Sequence, residues 1–551
     1  MKIMSITSSH DASLCIVKDG VIDTYFKSER YTKVKHDSNY KVLLELARKN
    51  NLFYDIDYLL FSNSEPKDVK KIQDEHILSY APRCTMVEPR GHHHLFHAAN
   101  AFYGSGFERS LVVIIDSTGG YLRGANDRPI DAYECTSVYE ASYPHTFKPL
   151  YKRYLSKLDN ENSVCMKTKS GVDFEMHKIY YGTLDVGNLY NTAAIAIGSD
   201  PDNCGKAMGL SSYGKSIPNF DLKGEDIYDN IKQYFKDYPE LLRQLFTDGY
   251  DSSTMLQMTK DNYKPFSNYC YEVQRQCQEQ VIDIVDKYVS LSGIKNVCIG
   301  GGYAMNIITN YELLQKYPDV NFYFDPVCDD SNLSIGSCLY TYRSKSKDVN
   351  IYPQTTTSYH GVYHYAPVAH EECTDVQASI KEVATLLSKN QSVAVFYGQA
   401  EAGQRALGNR SILFNALNPD AKDIVNNIKR REWYRPFAAM VLESDAHLYF
   451  GNVIPNPHMT VCFPVISDII PGVTHVDGTC RIQTVNSNHF LHDLLLEFKN
   501  ITGHGILLNT SFNLAGEPLV ETPEDALNTL CSSSLDYLWF FENKRLFKSN
   551  L

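Results

Sequence analysis

No two cysteines stand as a CxxC pair, although the 551 residues include 14 cysteines. They are scattered singly through apolar stretches (Cys15, Cys298, Cys462), which fits reduced, buried thiols and argues against a disulfide framework. A cytoplasmic setting is expected, that of the host if the source is viral. No run of about 18 apolar residues occurs, so no membrane span is expected. The N-terminus (Met1-Lys2-Ile3-Met4-Ser5-Ile6) enters a strand-like pattern at once and lacks the long apolar region of a signal peptide. Positive charge is in deficit, 53 Lys and Arg against 65 Asp and Glu, for a net charge of −12. That balance excludes a general polyanion binder but allows a local basic groove. Tryptophan is scarce, two residues against 39 tyrosines. With many Lys and Asn residues, such a composition is compatible with a viral genome and carries no chemistry of its own.

The chain is too long for one ordinary core, and its 43% hydrophobic content is globular. The expected organisation is an α/β domain over residues 1–347, a polar, proline-marked linker over 348–375, and a second α/β domain over 376–551.

Its most telling stretch is Gly91-His92-His93-His94-Leu95-Phe96-His97-Ala98-Ala99-Asn100-Ala101-Phe102-Tyr103, read as a short buried helix. His93 and His97 stand four apart, so both imidazoles leave one face. A histidine-rich core helix has the same signature. The aliphatic run Leu111–Ile115 then ends in Asp116, a carboxylate at a strand end, where open α/β sheets place their chemistry. A second strand, Phe322-Tyr323-Phe324, leads to Asp330. Together these four residues are a candidate metal set whose imidazole and oxygen donors suit Fe(II), Mn(II) or Zn(II).

Around it, residues 3–35 read as strand, hairpin and charged tail, with Ser28–His36 lining a cleft edge. The corner His10-Asp11-Ala12-Ser13 offers His10 as a general base toward a hydroxyl, or as a turn histidine satisfied by backbone. The glycine-punctuated stretch 203–215 reads as a loop closing over a ligand, with Lys206 a candidate contact. Residues 217–290 suggest no chemistry. Val297–Gly300 runs through Gly301 and Gly302 toward Asn306, a strand–glycine–helix junction able to approach a phosphate or ribose.

In the second half, Val376–Ser388 reads as a helix and Val393–Tyr397 as a strand. Beyond that strand lie Arg405 and Arg410, guanidinium groups suited to an oxyanion clamp. Lys429, Arg435 and Arg481 add cations. The stretch 505–513 reads as a strand ending in the amide and hydroxyl donors Asn509, Ser511 and Asn513. Three such loops beyond apolar strands in an acidic protein imply a phosphate-rich ligand.

These stretches, in this order, resemble the O-carbamoyltransferases that decorate nodulation factors, cephamycin and tobramycin. The resemblance spans nearly the whole chain. It rests on His10-Asp11-Ala12-Ser13, His93/His97, Asp116, Gly205-Lys206-Ala207-Met208-Gly209-Leu210, Gly301-Gly302 to Asn306, Arg405-Ala406-Leu407-Gly408-Asn409-Arg410-Ser411 and Leu508-Asn509-Thr510-Ser511-Phe512-Asn513. It implies an N-terminal domain of the actin/sugar-kinase/heat-shock ATPase type, similar to the tRNA threonylcarbamoyl-transfer protein, and a YrdC-like C-terminal domain. The latter would convert carbamoyl phosphate and ATP to carbamoyl-adenylate and pyrophosphate, and the former would pass the carbamoyl group to an acceptor hydroxyl. His93, His97, Asp116 and Asp330 would hold a divalent metal, Fe(II) foremost, with Mn(II), Zn(II) or Mg(II) as alternatives. His10, with Asp11, would be the base. Lys206, Gly301, Gly302 and Asn306 would hold nucleotide. Arg405, Arg410, Lys429, Arg435, Arg481, Asn509, Ser511 and Asn513 would bind carbamoyl phosphate and ATP.

The sequence departs from the family at Gln404, where proline is usual, and at Ser8, where tobramycin-type members carry an acid. A cationic acceptor is therefore not expected. The acceptor classes are a sugar or natural-product hydroxyl, or the hydroxymethyl group of a modified pyrimidine such as 5-hydroxymethylcytosine, free or in DNA. A homodimer is compatible with the sequence, and no membrane partner is expected. The rival readings are a threonylcarbamoyl-type tRNA-modifying enzyme and a non-catalytic nucleotide-binding module.

Overall fold

The structure, a computed structural model, describes residues 1–62, 85–87, 92–123, 129–156, 164–167, 173–178, 185–222, 227–239, 258–351 and 371–550. Gly91 and most of the expected linker (352–370) lie outside the described residues. Contacts divide the chain into two units. One comprises Met1–Glu88, Asp329–Cys338 and Gln354–Leu551, the other Pro89–Cys328 and Leu339–Pro353. These units are not the sequence segments 1–347 and 376–551, because residues 1–88 group with the C-terminal part.

The first unit contains two sheets. In one, the order is Val21–Lys27, Ser13–Lys18, Lys2–Thr7, Tyr58–Ser62, Thr85–Val87, with the hairpin strands antiparallel and the last three parallel. Helix Tyr40–Lys49 lays Leu43, Leu44 and Ala47 against Met4, Leu14 and Leu59. Burying each leucine contributes about 1.5–3 kcal/mol. The other sheet has nine strands in the order Cys373–Gln377, Arg545–Ser549, Tyr537–Phe540, Val393–Phe396, Arg410–Asn415, Ile506–Ser511, Ala438–Leu442, Thr479–Val485, Cys462–Pro464. Residues 376–377, expected within a helix, pair as strand; the helix begins after them at Ile380, where Ser379 and Glu382 form a capping box.

In the second unit the sheet runs Val164–Lys167, Asp173–Lys178, Thr146–Ser156, Pro129–Ser142, Arg109–Ile115, Asn296–Gly300, Asn321–Phe324. Its last three strands are parallel, so Ile115, Gly300 and Phe324 end on the same side. Both units are mixed α/β, as expected.

Candidate active sites

Helix His93–Ser105 positions the two histidines of the second unit. Its first turn is tied by Glu134, whose carboxylate accepts the His94 N–H at 3.1 Å and pairs with Lys152. Burial would raise Glu134, but Lys152 and His94 hold it down at about 2. Small residues let the helix approach the strands beneath. A Cβ on Gly104 would meet the Tyr323 hydroxyl at 2.7 Å, and one on Gly300 would stand 3.4 Å from Ala101. At the other end, Asn100 donates to Asp325 at 2.7 Å and to Val327 O at 3.1 Å, pinning helix to sheet.

The result is a convergence of three donors. His93 Nε2 lies 3.1 Å from Asp116 Oδ2 and 3.1 Å from His97 Nε2, while His97 Nε2 is 3.6 Å from the same carboxylate oxygen. Burial would raise the Asp116 carboxyl, yet the hydrogen bonds of His93 and His97 hold it well below the usual carboxylate range. Two imidazole nitrogens and a carboxylate oxygen meeting at one point match the donor chemistry of a transition-metal site. These residues therefore fit the metal that the resemblance implies. Asp330 opens the turn Asp330–Asn332 in the other unit.

Beside the triad lies the glycine junction. Gly301 has φ +75°, and a Cβ there would meet Ile115 O at 2.4 Å; one on Gly302 would stand 3.8 Å from Asp116 Oδ1. Asn306 turns out to be a helix cap. Its Oδ1 accepts from Thr309 N at 3.0 Å and Gln274 at 3.3 Å, and its Nδ2 donates to the Tyr190 hydroxyl at 2.9 Å and Gln274 at 3.0 Å. All four positions of the amide are used. Gln274 and Tyr190, which the sequence reading passed over, thus support the junction.

The expected ligand-closing loop at 203–215 is mostly helix, Cys204–Ser211, with Lys206 half-buried on it. Ala207 and Gly209 are buried on it, whereas Gly205 faces open space. The spacing Gly209-x4-Gly214-Lys215-Ser216 matches a phosphate loop in letters alone. Gly209 is inside the helix, and a Cβ on Gly214 would sit 2.1 Å from Ser267 O. A phosphate loop instead follows a strand and opens a helix.

In the first unit, the corner after strand Lys2–Thr7 holds two imidazoles on one acid. His10 Nδ1 lies 3.0 Å from Asp11 Oδ2, and His36 Nδ1 lies 3.2 Å from both oxygens. The rings stack at 4.9 Å with 13° between planes. Burial would raise Asp11, but Lys27 and the two imidazoles hold it well below the usual range. An ionised Asp11 accepts Nδ1–H, which makes Nε2 the basic atom. Lys27 is buried, with its ammonium 2.7 Å from Asp329, 3.4 Å from Glu29 and 3.6 Å from Asp11. The tail expected along a cleft edge is instead partly internal, with Glu29 and Arg30 buried. Lys27 and His36 went unassigned in the sequence because their partners are non-local.

The arginine loop of the same unit is built by two buried charges of opposite sign. Glu401 Oε1 accepts the backbone N–H of Leu407 (2.6 Å), Asn409 (3.0 Å) and Arg410 (3.4 Å). Arg410, fully buried, donates to the carbonyls of Tyr397, Gly398, Asn409 and Glu521 at 2.8–3.2 Å. Arg410 shapes the loop from behind, where an anion clamp was expected, and burial pushes it down to about 10. Asn509 is likewise buried, donating to Ala406 O at 3.2 Å and to Gln483 at 2.9 Å. Arg405 remains half-buried on the loop so framed.

A cation cluster adjoins it. Lys429 donates to Asn513 Oδ1 and O, each at 2.9 Å, and to Ser511 Oγ at 3.1 Å and Ser511 O. Burial, with Arg431, Arg435 and Lys35 nearby, pushes Lys429 well down; burial with Arg435 and Arg481 does the same to Arg431. Arg481 is brought to about 10, first by burial. Glu432 lies 3.5 Å from Arg435, and Glu517 opposes the charge near Lys429. Such mutual repulsion of buried cations is relieved by a polyanion. Arg431 joins the cluster unforeseen from the sequence.

The structure thus presents an imidazole-and-carboxylate cluster beside a strand end and a cation cluster at the framed loop. Residues 90–339 match the family signature Carbamoyltransferase N-terminus, and residues 384–545 match Carbamoyltransferase C-terminus. The chain belongs to the carbamoyltransferase family and is a carbamoyltransferase. It is 27% identical to nodulation protein NolNO of Sinorhizobium fredii over 97% of this chain and 78% of that one. A 35% identity to nodulation protein U of Rhizobium tropici covers 45% of this chain and 43% of that one. An uncharacterized protein of Methanocaldococcus jannaschii is 27% identical over 81% of this chain and 72% of its own length. Among solved structures, full-length HypF in its phosphate- and nucleotide-bound form is similar at 13% identity and a TM-score of 0.36. That match covers 62% of this chain and 46% of HypF. Among the described residues no helix is long and apolar enough to cross a membrane.

Proposed function

We propose that this carbamoyltransferase is ATP-dependent and works in two steps, with residues 376–551 forming carbamoyl-adenylate and residues 1–347 transferring the carbamoyl group to a hydroxyl. The cluster Lys429, Arg431, Arg435 and Arg481 is the observation that supports it most, because carbamoyl phosphate and ATP bring the negative charge these cations lack. Carbamoyl-adenylate carries one phosphorus, so phosphate and pyrophosphate both leave, with water supplying the oxygen that the first cleavage needs. Arg405 and the cation cluster bind and orient the phosphates, on a loop held from behind by Glu401 and Arg410. Gly302 leaves room for nucleotide, Gly301 supplies the left-handed turn packed against Ile115 O, and Asn306 acts through the turn it caps.

In the transfer step, His10 Nε2 takes the proton of the acceptor hydroxyl as that oxygen attacks the carbamoyl carbon, and AMP leaves. Asp11 fixes the tautomer and stabilises the imidazolium. His93, His97 and Asp116 would hold a divalent metal, Fe(II) foremost. When bound, the metal supplies positive charge toward the adenylate phosphate. The acceptor is a sugar-type hydroxyl or a hydroxymethylpyrimidine; for a base in DNA it must be single-stranded or flipped.

The test is incubation with ATP, labelled carbamoyl phosphate and Fe(II), followed by pyrophosphate assay and an acceptor screen that includes hydroxymethylcytosine DNA. Pyrophosphate release that depends on carbamoyl phosphate is expected; release without it, or none, overturns the reading. His10→Ala should keep pyrophosphate release and lose about 10²–10⁴-fold in transfer.

A further inference from the structure

Three carboxylates share the buried ammonium of Lys27, and each leads to a different place in the same contact unit. Asp11 carries the two stacked imidazoles. Glu29 lies 3.4 Å from Lys27 and takes Arg30 Nε at 3.4 Å, while Arg30 Nη2 donates to Gly403 O at 3.1 Å. Asp329 Oδ2 accepts Lys27 at 2.7 Å and also Gln404 Nε2 at 3.1 Å. Gly403 and Gln404 immediately precede Arg405. Two independent links therefore run from the arginine loop to Lys27, and one runs from Lys27 to the imidazoles. Gln404 supplies one of them.

The geometry points to Lys27 as a positioning residue through which an anion held at the Arg405 loop resets the His10–Asp11–His36 corner. This rests on the proposed two-step reading. Lys27 and Gln404 compete for one oxygen of Asp329. If an anion draws the loop and Gln404 away, Asp329 becomes the stronger acceptor and takes Lys27 from Asp11, whose hold on the imidazoles then changes. The far side of the loop cannot absorb the movement, because Glu401 and Arg410 bind its backbone at six points and Arg410 also ties it to Glu521 O. The transferring corner would thus respond to a filled phosphate site, before any acceptor arrives.

The test uses the full chain and magnesium pyrophosphate as the probe. Carbethoxylation rates of His10 and His36 by diethyl pyrocarbonate are read by peptide mass spectrometry, with calorimetry supplying the pyrophosphate affinity. In the wild type, saturating pyrophosphate should change one or both rates by about fivefold or more. In an Arg30→Gln/Gln404→Ala double variant the change should vanish at unaltered affinity. A response of equal size in the double variant means direct shielding and overturns the coupling, as does binding with no response in the wild type. Failure of pyrophosphate to bind at all overturns the anion site itself. If the double variant does not fold, Gln404→Ala, at an exposed side chain, must still show a reduced response.

Discussion

Removing the Lys27 ammonium would leave Asp11, Glu29 and Asp329 facing one another inside the protein. Breaking such a buried group by deleting one partner costs about 3–5 kcal/mol, so Lys27→Met should lower the urea midpoint clearly. His36 carries a pH signature. Burial works against its proton, but the hydrogen bond and charge of Asp11 overcome it and raise its pKa on folding. The stabilisation is therefore complete below the unfolded value of about 6.5 and is lost as pH rises through the higher folded value. His36→Asn should flatten the fall in stability that begins as pH rises above about 6.5. Neither residue could be assigned from sequence, since the identity of a lysine or histidine says nothing about carboxylates up to 302 positions away.

At the scale of elements, the junction after strand Asn296–Gly300 is the most exacting. Gly301 has positive φ and its Cα faces Ile115 O, so Gly301→Ala should cost more than about 1 kcal/mol in a thermal melt. Asn306→Ala removes a cap worth about 0.5–2 kcal/mol and strands Gln274. These elements were legible in the sequence because periodicity and glycine placement are local: the strand ends at Asp116 and Gly300 and the His93–Ser105 helix all appear as read. The misreadings share a cause. Small residues at 203–211 look like a loop but form a helix with Ala207 and Gly209 buried. Arg410 and Asn509 look like ligand contacts, but they are the hidden frame of the loop carrying Arg405. A sequence reports which groups are polar; burial decides whether they face a ligand or the backbone.

Across the whole molecule, the N-terminal 88 residues are bound up with the C-terminal part. Arg30 donates to Gly403 O, and Lys33 pairs with Asp525. A chain ending at residue 370 should therefore be destabilised as well as unable to release pyrophosphate, measurable as a lower melting temperature and earlier proteolysis. A threonylcarbamoyl-type enzyme confined to the first half would instead keep its activity.

The cluster of Lys429, Arg431, Arg435 and Arg481 within a protein of net charge −12 has a practical corollary for the bench. Any small inorganic polyanion in the medium becomes a native-state ligand and lifts the melting point by mass action. Purification in phosphate should yield a sturdier but partly self-inhibited preparation, whereas Hepes or Tris exposes the strain of the uncovered guanidinium groups. Buffer identity thus belongs among the variables of every assay on this molecule.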